Sequence, residues 1–228
     1  MIADAVITSG LKVIAVDPGV FTATLSRKLI TPNKKKQKTK ILAVVGSVNA
    51  NTTAQMEELW LSQRTHNEFV HTRELLEGEK RRELEIRRVV NSILGECDRN
   101  NISTVTGDGI YPENRIDFTP YMERYQCSLD EVTGMINSAF AEITYRIFKT
   151  EDTFKGLYTS GGDVTVAVCK RFDTAGLSLL DEVLPLAAYG QFLKRRIRRC
   201  TYHYKRRKQG NKDAINKCIT YLKEKLYI

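Results

Sequence analysis

Two stretches of this chain carry residues that could hold a phosphate: "VVGSVNANTTAQ" at 44–55 and "YTSGGDVTVAV" at 158–168. Each sets glycine and hydroxyl side chains where an apolar run gives way to a helical pattern. Glycine lets the backbone approach an anion closely. The first N–H groups of a helix have no partner inside it and carry partial positive charge, which suits phosphate. Ser47, Thr52, Ser160 and Thr165 offer further hydroxyl donors. A plainer reading stands beside this one: Gly46-Ser47 as an ordinary turn, and Gly161-Gly162-Asp163 as a tight turn with Asp163 capping a helix. Neither stretch is a GxxxxGK[ST] phosphate loop or a GxGxxG dinucleotide turn, so a dehydrogenase is disfavoured.

Such turns need strands and helices to hold them. "ILAVVGS" (41–47) is the strongest strand pattern, and "LKVIAV" (11–16) also reads as a buried parallel strand, followed by a turn and helix in "DPGVFTATLSRKL". "NTTAQMEELWLSQR" (51–64) reads as a helix with Thr52 and Gln55 spaced as a capping box. "GEKRRELEIRRVVNSILGEC" (78–97) is a long helix with Leu84, Val90 and Leu94 near one face. "ISTVTGDG" (102–109) is strand then turn. "SLDEVTGMINSAFAEITYRIFK" (128–149) opens on a second capping box, Ser128 with Glu131, and its apolar residues follow the helical period. "GLYTSGGDVTVAVCKRF" (156–172) is strand, turn and helix, "LSLLDEVLP" (177–185) another strand, and "NKDAINKCITYLKEKL" (211–226) an amphipathic helix. The alternation predicts an α/β fold: a mainly parallel sheet with helices on both faces, in three layers. Ligands bind such sheets at the carboxyl edge of the strands. The 41–47 and 156–160 runs are therefore expected to be near neighbours with both turns at one edge.

With 228 residues, 42% hydrophobic and 28% charged, the chain has the balance of an ordinary globular protein with a sizeable core. Its five cysteines (97, 127, 169, 200, 218) show no CxxC, which predicts reduced thiols and a cytoplasmic location. No apolar run reaches the roughly 18–20 residues of a membrane span, and the N-terminus lacks a signal-peptide pattern. The net charge of +9 comes from one block, "KRRIRRCTYHYKRRK" (194–208), which holds nine Lys and Arg and no acid; the rest is electrically balanced. Basic residues interleaved with Tyr202 and Tyr204 fit a nucleic-acid-binding arm, the alternative function to a phosphate site. A solvated charge run is the bland reading. "TPNKKKQKTK" (31–40) reads as a flexible lysine-rich linker.

At the two turns the chain resembles a known family. "AVDPG", "ILAVVGSVNANTTAQ" and "GLYTSGGDVTVAV" followed by "LLDEVLPLAAYGQFL" are similar to the four-carbon acid sugar kinases, ATP-dependent kinases of threonate, erythronate and 3-oxo-tetronate. The resemblance implies that residues 41–228 are the nucleotide-binding domain, and that 1–40 are the end of the N-terminal half and a linker. It implies that Ser47 and Asn49 of the GSVN turn and Ser160, Gly161, Gly162 and Asp163 contact ATP, with Mg²⁺ accompanying it. The sugar acid binds in the family's N-terminal half, whose "ADDLTGA"-like motif is not among these residues; the catalytic groups for the acceptor hydroxyl are not assigned.

The family has a further glycine turn, GxxxGxxxxTKGG, where this chain has its basic block. Read one base later with permitted codons, the block from Arg195 to Lys208 becomes GEYEGVHIITKGG, which is that turn. The original frame resumes near "GNKDAINKC". The expectation is a double frameshift across 194–209, in the gene or in its sequencing.

The remaining candidates have plainer readings. His66, His71 and His203 lack a second ligand at metal spacing. Asp17 and Asp108 sit at strand ends and read as turn residues. Trp60 and the aromatics of 128–149 read as core, and Cys169 as a packing residue.

Overall fold

The computed structural model describes residues 2–16, 19–29, 39–185, 187–193, 201–205 and 211–226, and divides into two units, 1–37 and 38–228. The first unit holds helices α1 (Ile2–Ser9) and α2 (Val20–Leu29). Lys28 Nζ lies 2.7 Å from Asp4 Oδ1 and holds that carboxyl down at about 2. The expected strand at 11–16 does not form: Ile14 and Val16 are 91% and 93% exposed, and no strand pairs with them among the described residues. An extended run becomes a strand only where a neighbour takes up its N–H and C=O groups, and the regular structure described in this unit is helical. Asp17 and the lysine-rich 31–38 lie outside the described residues.

The second unit opens with β1 (Lys40–Val45), whose six residues are all buried. Lys40, read in the sequence as the last linker residue, is the first residue of this strand and points its Nζ to within 3.6 Å of Asp98. Then come α3 (Ala50–Ser62), β2 (His66–Val70), α4 (Thr72–Leu76), α5 (Glu79–Glu96) and β3 (Ile102–Gly107). Two single 3₁₀ turns, Asp108–Ile110 and Pro112–Asn114, lead to α6 (Thr119–Tyr125) and α7 (Leu129–Thr150). After them run β4 (Phe154–Ser160), α8 (Gly162–Arg171), β5 (Gly176–Leu184), β6 (Ala187–Leu193), β7 (Thr201–Lys205) and α9 (Ala214–Leu226).

The described strands form one sheet in the order β2-β3-β1-β4-β7-β6-β5. β2, β3, β1, β4 and β7 pair in parallel, and β6 runs antiparallel to both of its neighbours. Alternate residues of β1 serve opposite cores. Leu42 and Val44 face α5, α7 and α8, whereas Ile41, Ala43 and Val45 face α3 and α9. This is the expected three-layer α/β architecture, and burial on both faces explains why β1 reads as an unbroken apolar run.

Several local expectations are corrected. The cap of α3 is Asn49, whose side chain accepts from Thr52 N, and not a Thr52–Gln55 box; the helix starts one turn earlier than its polar residues advertise. On α5 the buried stripe is Glu85, Ile86, Val89, Val90 and Ile93, while Leu84 is 58% exposed, because the helix is rotated to bring Glu85 onto the core side. There Glu85 accepts from His71 N at 2.8 Å and from Arg88 Nη2 at 2.8 Å. The α7 capping box is present as read, with both bonds between Ser128 and Glu131. At the centre of the basic block the backbone of Thr201–Lys205 is paired with β4 on one side and β6 on the other, and the rest of 194–209 lies outside the described residues.

Ion pairs tie α5, α7 and α8 together. Arg146 donates to Glu83 from Nη1 and Nη2 at 2.8 Å each and to Glu142 from Nε at 2.7 Å, and Arg171 also reaches Glu142 while lying over the Tyr145 ring. Hydrogen bonds from Arg146 and Arg87 hold the Glu83 carboxyl down at about 2. Burial opposes ionisation of Glu142, but bonds from Arg171 and Arg146 outweigh it, so its pKa is also lowered. A carboxyl depressed in the folded state stabilises above its unfolded pKa, and that contribution disappears as pH falls through the folded value. Thermal stability is therefore expected to fall between about pH 4.5 and 2, and less steeply in Glu83→Gln. Melting curves across that range provide the check; an unaltered slope in the variant contradicts it.

Candidate functional site

β1 and β4 are adjacent and parallel, in a register that sets Val45 beside Ser160. Gly46 N donates to Ser160 O at 3.0 Å, so the two glycine-bearing turns leave the same sheet edge side by side. The topology selects this place. β1 leads into α3 on one face, while its neighbours β3 and β4 lead into α7 and α8 on the other. Connections that diverge to opposite faces leave a crevice at the strand ends, where open α/β sheets take ligands.

Close packing explains the glycines. A Cβ on Gly46 would stand 3.0 Å from Val164 Cβ in the first turn of α8. Gly161 has φ +115°, a conformation in which side-chain-bearing residues are strained, and its own Cβ position faces Ser47 N at 3.8 Å. Gly162 begins α8 directly after the turn, and Asp163 is exposed in that first turn.

The hydroxyls divide into two groups. Ser47 is buried, and its Oγ accepts from Asn49 Nδ2 at 2.8 Å and Thr52 Oγ1 at 3.2 Å. Among the described residues nothing accepts its own proton. Ser160 is buried at the end of β4. Thr52 and Thr165 are not free donors as expected: Thr52 Oγ1 serves Ser47, and Thr165 Oγ1 bonds Gly161 O at 2.8 Å and shares a 2.7 Å contact with Thr159. They shape the turns. Asn49 does the same, its Oδ1 accepting from Thr52 N at 2.9 Å.

A cavity of about 430 Å³ opens beside these turns, between the ends of β1 and β3, the segment 114–118 and the first half of α7. Gly46, Val48 and Asp163 join it to both turns, Phe118, Ile136 and Phe140 give it an apolar wall, and Thr72, Asn137 and Arg115 a polar one. A groove between α7 and α8 continues from it, sharing Asp130, Thr133, Asn137 and Asp163. Arg115 donates from Nη2 to Val48 O at 2.6 Å and from Nε to Gly109 O at 3.1 Å, bridging the turns after β1 and β3. Sequence reasoning missed Arg115, which is one of 36 Lys and Arg residues with no motif around it. Asp108 takes the plain reading: its Oδ1 accepts from Thr72 N at 3.1 Å and Thr72 Oγ1 at 2.7 Å, fixing the start of α4.

The site's donors suit Mg²⁺ rather than a transition metal. Asp130 and Asp163 line the cavity, and Mg²⁺ typically takes one or two carboxylates plus substrate phosphates. Among the described residues no group of three or more His, Cys, Asp or Glu could hold a metal ion. His66 Nε2 is instead 3.1 Å from Ser92 Oγ, and His71 Nδ1 is 3.3 Å from Glu85. Trp60 packs edge-on to Phe69 and donates to Thr104, away from the cavity lining. Burial pushes the Cys169 thiol up to about 11, so it stays protonated.

A family model described as a nucleotide-binding C-terminal domain matches residues 42–214. A D-erythronate kinase from Heliobacterium modesticaldum is 34% identical over 229 residues, covering 99% of this chain and 51% of that protein. The chain thus spans about half the length of the curated relative it matches. Among solved structures, a Haemophilus influenzae protein of the DUF1537 family superposes with a TM-score of 0.60 at 14% identity, covering 97% of this chain and 50% of the other. A Bordetella bronchiseptica DUF1537 protein gives 0.61 at 17% identity, over 82% of this chain and 41% of its own. At those identities the two structures speak for the fold alone. The chain belongs to the family of nucleotide-binding C-terminal domains, the nucleotide-binding part of the four-carbon acid sugar kinases.

Proposed function

We propose that this chain is the ATP-binding C-terminal part of a cytoplasmic kinase that phosphorylates a four-carbon sugar acid, erythronate, threonate or 3-oxo-tetronate, at its terminal hydroxyl. The observation that carries the reading is the shared edge: the Ser47 turn and the Ser160–Asp163 turn emerge from neighbouring parallel strands, as two halves of one phosphate cradle would. In this reading the first N–H groups of α3 and α8, with Ser47 and Ser160, hold the nucleotide's phosphates. They offset the charge that develops as the γ-phosphoryl group leaves. Asp163, with Asp130, would hold the Mg²⁺ that accompanies ATP, and that ion would supply charge neutralisation of the phosphates. The sugar acid is held by an N-terminal half that these 228 residues do not include, and residues 194–209 are a frame-shifted stand-in for the family's third glycine turn. Among the described residues no helix is long and apolar enough to cross a membrane.

Calorimetric titration of the chain with Mg²⁺–ATP tests the nucleotide site. Weak, saturable one-to-one binding that survives a rise in salt is expected. Absence of saturable binding overturns the reading. Binding to single-stranded DNA that exceeds ATP binding and collapses with salt would instead favour the basic segment as the functional part.

A further inference from the structure

We propose that Arg115 is an oxyanion-binding residue of this site, an assignment that rests on the nucleotide reading above and deepens it. Its guanidinium is positioned without being neutralised. Two backbone carbonyls, Val48 O and Gly109 O, accept from Nη2 and Nε and fix its plane at the mouth of the cavity. No carboxylate pairs with it among the described residues, in contrast to Arg88, Arg124, Arg146 and Arg171, each of which meets a glutamate.

A guanidinium has five N–H donors in a rigid planar fork. Two go to the carbonyls, and those on Nη1 have no described acceptor. Backbone carbonyls fix an arginine but leave its full positive charge for a ligand. The charge sits where an anion is called for, since Gly46, Val48 and Asp163 of the two phosphate turns line the same cavity. Asp130 and Asp163 share that lining and would be screened from a bound phosphate by the Mg²⁺ they suit. The bonds to Val48 and Gly109 give the residue a second effect. By joining the turns after β1 and β3, Arg115 makes the shape of the Ser47 turn depend on the segment 112–118.

The oxyanion has two possible sources: a phosphate of the nucleotide, or the carboxylate of the sugar acid reaching across from its own half. Both accept a bidentate pair from a guanidinium. The test is a calorimetric or NMR titration of the full chain and of Arg115→Met and Arg115→Lys with Mg²⁺–ATP and adenosine, and with erythronate in the presence of the N-terminal half of a relative added in trans. Methionine keeps much of the stem's bulk and removes the charge. A loss of about tenfold or more in ATP affinity in Arg115→Met, partly recovered in Arg115→Lys and with adenosine unchanged, assigns the phosphate. The same pattern for erythronate with ATP unchanged assigns the carboxylate. Equal weakening of ATP and adenosine would mean that Arg115 only braces the turns, and overturns the proposal, as does unchanged affinity for both ATP and erythronate. Failure of the unsubstituted chain to bind ATP strikes the nucleotide reading itself, and is separable because it appears before any variant is made.

Discussion

Recoding residues 195–207 as GEYEGVHIITKGG is expected to raise both the melting temperature and the ATP affinity of this chain. The register explains why. Lys205 pairs with Ser160 at the end of β7, so the replaced segment would keep a lysine at 205 and set its two glycines at 206 and 207, one step past the strand. That position in sequence corresponds to Gly161-Gly162 after β4. β7 lies between β4 and β6, in the middle of a sheet flanked by two cores, where an apolar β-branched strand is favoured over Thr-Tyr-His-Tyr-Lys. Burying one further aliphatic side chain contributes about 1.5–3 kcal/mol. At about 2–4 °C per kcal/mol for a chain of this size, an increase of several degrees follows. Each backbone donor recovered for a phosphate adds about 1.5–3 kcal/mol to binding, and it acts at fixed geometry, unlike long screened side chains. Scanning calorimetry and ATP titration at low and high salt read the two effects. Equal stability and equal affinity in both versions would show that the block is a tolerated natural substitution.

The second large effect is an absence of catalysis. A protein consisting of these 228 residues is expected to show no turnover with erythronate, threonate or 3-oxo-tetronate and Mg²⁺–ATP. Phosphoryl transfer owes most of its acceleration to holding donor and acceptor in line. Effective molarities of about 10⁵–10⁸ M are forfeited when one reactant has no site. The cavity here is continuous with the phosphate turns and, among the described residues of its lining, bears one cation, Arg115, which serves one anionic group and not a whole sugar acid in reacting position. A coupled ADP-release assay provides the measurement, with the N-terminal half of a relative added in trans as the rescue arm. Robust turnover by the chain alone would place the sugar acid and its catalytic groups within these residues.

Much of the architecture was legible in the sequence because it is locally encoded. β1 is a continuous apolar run after Lys40, since a strand buried on both faces has no polar side to alternate with. The α7 cap is written in two residues three apart, Ser128 and Glu131. The glycine turns are visible because the conformation at Gly161 and the crowding at Gly46 each exclude a side chain. β2 and β6 were not legible. "HNEFV" is an edge strand with mixed polarity, and "AAYGQFL" carries Gly190, whose Cβ position would collide with Ser178 O across the hairpin. Their identity as strands comes from the neighbours that pair with them.

The same distinction runs through the site. The sequence alone determined which residues leave strand ends as glycine turns and which helices begin there. Tertiary structure decided that Val45 and Ser160 share a register, that Thr52 and Thr165 spend their hydroxyls on the turns themselves, and that Thr201–Lys205 is a central strand. It also decided the place of Arg115, whose two acceptors lie 67 and 6 residues away along the chain. Caps and turns depend on hydrogen bonds between residues a few positions apart, so composition and spacing report them. Strand register, and an arginine fixed by distant carbonyls, depend on groups that meet only when the sheet has assembled.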